Sequence, residues 1–246
     1  MASERSLLLP ALVLAVGIAV GAGVLGSQLK NLRQSGEITV KGLAEENYQA
    51  DYAEWQLGVS SHYPDYATSL AGLKSNMPTV INFLKSQGFS DNEIRIENPQ
   101  ITIHRKEIYE NEHTRYVDDG YDAEQSVLLS TKDLQKLKQV YDAALNFRAE
   151  QAGFYFNEPQ YLLGNLEEIK HSLIAKATQD AKRRAEEFAK TGNSKVGAMK
   201  SASQGSFNIY SDTIADSDDD DYGGTYSKST VGKRVRLVVT VKYGIE

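Results

Sequence analysis

Residues 48–61, Tyr-Gln-Ala-Asp-Tyr-Ala-Glu-Trp-Gln-Leu-Gly-Val-Ser-Ser, alternate with a period of two. Ala53, Trp55, Leu57 and Val59 take one parity, while Tyr48, Ala50, Tyr52 and Glu54 take the other. The stretch therefore predicts a long strand with one apolar face. The period then changes. From Asp65 to Lys85 the residues Tyr66, Leu70, Leu73, Met77, Val80, Ile81 and Leu84 recur at helical spacing. Gly88 closes this helix, and Pro78 inside it predicts a kink or a division.

The same reading extends both ways along the chain. Upstream, Ile38-Thr-Val40 opens a short strand, and Gly42 to Asn47 reads as a polar break. Downstream, Ile94, Ile96, Ile101 and Ile103 mark one strand and Tyr121 to Leu129 another. Glu107 to Gly120 forms a polar hairpin tip between them, with Asp118-Asp119-Gly120 as its turn signal. Lys132 to Phe147 is amphipathic through Leu134, Leu137, Val140, Tyr141, Ala144 and Leu145. Gly153 to Leu163 returns to strand, so strand–helix–strand order occurs twice, over Tyr48–Ile103 and Tyr121–Leu163.

Leu166 to Lys190 is the longest helix. Its stripe of Ile169, Leu173, Ile174, Ala177, Ala181, Ala185, Phe188 and Ala189 is largely alanine, small enough to lie close against a sheet. Lys195 to Phe207 reads as a strand, an acidic flexible loop occupies about 208–230, and Lys233 to Tyr243 closes the chain as a strand alternating Val235, Leu237, Val239 and Val241. The expected fold is α+β, an antiparallel-rich sheet with helices packed on one face, in one domain over 37–246.

Before that domain, Leu7 to Leu25 is a run of 19 residues without a charge. At about 1.5 Å per residue a helix of that length nearly spans a hydrocarbon core of roughly 30 Å. We read 1–6 as a short tail, 7–26 as a transmembrane signal anchor and 27–36 as a linker. The run exceeds the apolar core of a cleavable signal peptide, and no cysteine is present for a lipid anchor. Arg5 on one side and Lys30 with Arg33 on the other leave orientation undecided by charge. Gly21-Ala-Gly23-Val-Leu-Gly26 imitates a dinucleotide fingerprint, but its apolar run is too long for one strand and no parallel alternation follows.

Composition narrows the chemistry. The 246 residues carry a net charge of −6, and residues 1–36 hold Arg5, Lys30 and Arg33 against Glu4, which leaves −8 on the remainder. An acidic folded part disfavours binding to a phosphate backbone, so no nucleic-acid partner is expected. The absence of cysteine removes disulfides, thiolate nucleophiles and cysteine metal sites. His62, His104, His113 and His171 show no zinc-helix spacing. His104 and His113 could meet across the hairpin, but polar-surface histidines are commonly without a ligand. Glu45–Glu46 and Glu167–Glu168 are sequence neighbours whose side chains diverge. No catalytic, cofactor-binding or metal-binding residue is assigned, and no cofactor.

Asp216-Ser-Asp-Asp-Asp-Asp221 places carboxylates at alternate positions, as calcium loops do. It has Asp221 where such a loop needs glycine and Ser227 where it needs glutamate, so it reads as a solvated connector. Fourteen tyrosines against seven phenylalanines suit half-buried sheet edges and subunit interfaces alike.

Several stretches together carry a resemblance. They are Ile38-Thr-Val-Lys-Gly42; Gly88-Phe-Ser-Asp-Asn-Glu-Ile94 with Pro99; Ala177-Thr-Gln-Asp-Ala181-Lys-Arg-Arg-Ala185-Glu-Glu-Phe-Ala189; the Gly192 to Gly197 turn; and the terminal strand. In this order they resemble the SIMPL-domain family, the bacterial group that includes the periplasmic immunogenic proteins, over about Glu37 to Glu246. The resemblance implies a mixed α+β fold, export, self-association and a loose connection to envelope or oxidative stress, with no reaction to carry over. The expected protein is non-enzymatic and single-pass in the bacterial inner membrane, with a periplasmic domain that forms a homo-oligomer. A periplasmic binding module for a small molecule or another envelope protein is the alternative. If the acidic run is only a connector, deleting Asp216–Asp221 should leave the melting temperature unchanged with and without calcium. A calcium-dependent rise lost on deletion would mark an ion site.

Overall fold

Trp55 and Leu57, the centre of the alternating stretch, are fully enclosed, with Ala53 and Val59 buried beside them. A computed structural model describes residues 14–24, 36–110, 113–212 and 225–246. In chain order the elements are helix α1 (14–24), strands β1 (Gly36–Gln49) and β2 (Tyr52–Tyr63), helix α2 (Tyr66–Ser86), and a 3-10 turn at Asp91–Glu93. Strands β3 (Ile94–Ile96), β4 (Gln100–Glu110) and β5 (His113–Thr131) follow, then helix α3 (Leu134–Glu150) and strands β6 (Phe154–Phe156) and β7 (Gln160–Leu162). Helix α4 (Leu166–Thr191) and strands β8 (Val196–Ser211) and β9 (Gly232–Ile245) complete the chain. It is an α+β protein of two compact units, one comprising the described residues up to Glu45, Ile169–Phe207 and Arg236–Glu246, the other Glu46–Glu168 and Asn208–Val235.

In the second unit β2 and β5 are paired antiparallel from Ala53↔Thr131 to Tyr63↔Tyr121. β3 and β4 flank β5, while β6 and β7 flank β2, every pairing antiparallel. The repeated strand–helix–strand order is thus two halves, β2–α2–β3/β4 and β5–α3–β6/β7. Each half places its outer strands against the other half's central strand, the split βαβ arrangement of ferredoxin-like sheets. Both helices cover one face, where Leu73, Met77, Val80, Leu84, Leu137, Val140 and Ala144 pack with Trp55, Leu57, Ala123, Val127 and Leu129. Asp65 and Asp133 cap α2 and α3 by accepting from the backbone N–H of Thr68 and Lys136.

In the first unit the strand order is β1-β9-β8. Leu237, Val239, Val241 and Tyr243 of β9 are buried with Val40 and Ala44 of β1. Gly42 lies directly under α4. A methyl group there would overlap the Ala177 carbonyl and come within 2.8 Å of the Ala181 side chain. Ala177, Ala181 and Ala185 are completely buried, so the alanine stripe is how the helix reaches the sheet. Asp180 fastens the contact by accepting from the Leu43 N–H at 3.0 Å, and Arg183 and Arg184 donate to the same carboxylate.

Several expectations shift. β1 runs unbroken through Gly42–Asn47, because Gly42 serves the close approach of α4 rather than a turn. α2 continues through Pro78, its buried Leu73, Met77, Val80 and Leu84 outweighing a cost of about 3 kcal/mol for proline inside a helix. The polar stretch expected as a hairpin tip is instead ladder, paired from Arg105↔Asp118 to Glu110↔His113. β8 includes Asn208–Ser211, expected in the loop, because Asn208, Ile209 and Tyr210 are buried. Phe188, Tyr66 and Leu145, placed on apolar stripes, are exposed.

α1 exposes Leu14, Val16, Ile18, Val20 and Val24. Among the described residues no helix is long and apolar enough to cross a membrane. The rest of the expected anchor, and Asp216–Asp221, lie outside the described residues. Because Ala181 is completely buried where α4 meets Gly42 of β1, Ala181→Leu should lower stability by about 1–3 kcal/mol. The exposed neighbour substitution Ala175→Leu should change it little; urea midpoints of the two variants check this.

Candidate functional site

His62 continues the outward parity of β2, on the sheet face opposite Trp55 and Leu57 and away from α2 and α3. Its register partner on β5 is Asp122, whose other strand neighbour is Thr102 of β4. His104 lies two residues beyond Thr102, diagonal to Asp122 and on the same face. One side chain from each of three adjacent strands therefore meets at one point. His62 Nδ1 is 2.9 Å from one carboxylate oxygen of Asp122, and His104 Nδ1 is 2.7 Å from the other. The imidazoles meet edge to face, centroids 4.8 Å apart.

A bulge makes the meeting possible. Pairing shifts between Ile103↔Tyr121 and Arg105↔Asp118, so β5 carries an extra residue opposite His104. Gly120 occupies the bulge at φ +90°, and a Cβ there would sit 2.5 Å from the Tyr63 carbonyl oxygen. Glycine is required on both counts. Asp118-Asp119-Gly120 was expected to reverse the chain; here its glycine bends a continuing strand and turns His104 towards Asp122.

Hydrogen bonds, first from His62 and then from His104, hold the Asp122 carboxyl below the usual aspartate range, against a smaller opposing effect of burial. The ionised carboxylate accepts one Nδ1–H from each ring. Side chains 40–47% exposed keep the point accessible to water. Two imidazoles and a carboxylate are a metal-ligand set, and among the described residues this is the one such group of three.

His113 pairs with Glu110 at the far end of the hairpin, so the partner of His104 is His62 and not His113. His171 lies on α4, in the first unit. Glu46 accepts from the Tyr48 hydroxyl at 2.8 Å, and burial first, then this hydrogen bond, pushes that phenol up to about 12. On the same outer face Gln56, Ser126, Glu124 and Tyr155 line a polar cavity of about 150 Å³. Lys233, unremarkable in sequence, is fully buried and donates to the Ser227 carbonyl.

A family model, SIMPL, described as a protein of unknown function (DUF541), matches residues 38–243. The chain belongs to the SIMPL family. No curated protein matches it at a significant level. The family match spans the strands that build the His62–His104–Asp122 cluster and brings no reaction with it.

Asp122 stays ionised below the pH at which an unfolded aspartate protonates, so its contribution to stability is present above about pH 4 and fades as pH falls through its lowered folded value. In this SIMPL chain Asp122→Asn should therefore cost about 0.5–1 kcal/mol at pH 7, the scale of exposed charge pairs. The difference should shrink as pH falls below about 4; urea titrations with a chelator at pH 7 and on the acid side of that value measure it.

Proposed function

We propose that this SIMPL protein is a non-enzymatic component of the bacterial envelope that acts by assembling with copies of itself. Its segment 7–26 anchors it in the inner membrane and its folded part lies in the periplasm. The exposed apolar side chains of α1 support the anchor, and the absence of cysteine and of nucleophile motifs supports a structural role. The resemblance adds the link to envelope or oxidative stress.

The observation that carries assembly is the β4–β5 arm. From Arg105↔Asp118 to Glu110↔His113 it is a two-stranded ribbon beyond the end of β2, which pairs β5 only as far as Tyr121. A lone ribbon is marginally stable in water. This one also exposes Tyr109 (74%) and Tyr116 (64%). β4 is hydrogen-bonded to β5 and to no other described strand, so its outer edge offers a row of backbone donors and acceptors.

A second copy fits that edge. An antiparallel β4–β4 pairing centred between Lys106 and Glu107 sets each lysine opposite the glutamate of its counterpart. The alanine stripe is used up against β1 and is not available for assembly. The binding-module alternative gains no support from the outer-face cavity, whose 150 Å³ is small beside the roughly 300–1,000 Å³ of ordinary ligand pockets.

Native mass of the full-length protein in mild detergent tests the reading. The wild-type chain should give one discrete assembly, Lys106→Glu should shift it to smaller species, and Lys106→Glu with Glu107→Lys should restore it. A wild-type monomer would end the assembly reading and leave Arg105 and Lys106 as charges that guard an edge.

A further inference from the structure

We propose that His62, His104 and Asp122 form a binding site for one divalent transition-metal ion of the zinc, nickel or copper class. The inference does not rest on assembly; it rests on where three strands place three ligands.

Imidazole selects this class of ion over magnesium and calcium, which prefer all-oxygen shells. A zinc ion bound at about 2.0–2.1 Å sets its ligand atoms roughly 3.3 Å apart in a tetrahedron. One ligand atom from each of the three side chains lies within 4.8 Å of the other two. The Nδ1 atom of each histidine is 2.7–2.9 Å from a carboxylate oxygen of Asp122, already close to the spacing of ligands around one ion.

The backbone has already done the rest. His62 and Asp122 are register partners on central strands, and the Gly120 bulge presents His104 from the third strand. Because the rings meet at 76° rather than stacked, their Nδ1 atoms converge on the carboxylate. Without metal, two N–H groups fill the space between the ligands. Binding moves a neutral ring to its Nε2–H tautomer, whereas a doubly protonated ring releases its Nδ1 proton to solvent; in both cases the ion takes the place of the Nδ1 hydrogen. Side chains 40–47% exposed leave a fourth coordination position open to water.

The alternative is a hydrogen-bonded clamp that binds no ion, and titration of the full-length protein with Zn²⁺ alone separates the two. The expected result is one saturable site per chain that survives excess Mg²⁺ and Ca²⁺ and weakens as pH falls. His62→Gln and His104→Gln should each weaken it at least about tenfold, the lower end of what losing a supporting group costs a metal site. His113→Gln and His171→Gln should leave it unchanged. In Co²⁺-loaded protein the visible absorption should disappear in the His104→Gln variant, and melting curves in chelator confirm that each variant is folded. No saturable binding below roughly 1 mM, or affinity unchanged in both His62→Gln and His104→Gln, overturns the proposal.

Discussion

The second unit depends on the register of β2 against β5. With Trp55 opposite Leu129 and Leu57 opposite Val127, apolar side chains of both strands face α2 and α3. The same register puts His62 opposite Asp122 on the other face. A slip of one residue would send Trp55 and Leu57 into water and bring charged side chains beneath the helices, and at roughly 1.5–3 kcal/mol per large apolar side chain that arrangement cannot compete. The polar cluster on the outer face is thus held in place by the hydrophobic face behind it. Two weak surface hydrogen bonds could not set that geometry by themselves.

The first unit solves a different packing problem. α4 carries little apolar bulk, and it compensates by proximity: alanine on the helix and glycine on β1 let two backbones approach until Leu43 can donate to the Asp180 side chain. That carboxyl is held below its usual range first by the Leu43 N–H and then by Arg184 and Arg183. A buried stripe of small residues therefore says nothing about partners. Its smallness is already explained by the neighbour it has.

How much of this was legible in the sequence follows from the range of the interactions. Period-two alternation at 53–59 and period-3.6 spacing at 66–84 are local, and they located β2 and α2 to within a few residues. The repeated strand–helix–strand order was likewise visible. What local chemistry misjudged was Gly42, Gly120 and a division of α2 at Pro78, each read as an interruption. In all three, contacts distant in sequence keep the element going: α4 over Gly42, the buried face of α2 around Pro78, and Tyr63 against Gly120. The cluster was illegible for the same reason. Asp122 is 60 residues from His62 and 18 from His104, and the only local clue was the outward parity of His62, which no spacing rule connects to a partner.

Gly120 joins the two functional readings. The bulge that presents His104 to Asp122 also sets the direction in which the β4–β5 arm leaves the sheet. An ion held by His62 and Asp122 on the sheet and His104 at the root of the arm would tie that direction down. Linkage then sets a strict condition: metal and assembly influence each other only to the extent that the arm's geometry differs between the free and the assembled chain. If the bulge already holds the arm in its assembling direction, the ion has equal affinity for both states and shifts nothing, however tightly it binds. Gly120 packed against the Tyr63 carbonyl leaves little room for the arm to swing. The geometry therefore favours two independent devices on one bend over a metal-gated arm.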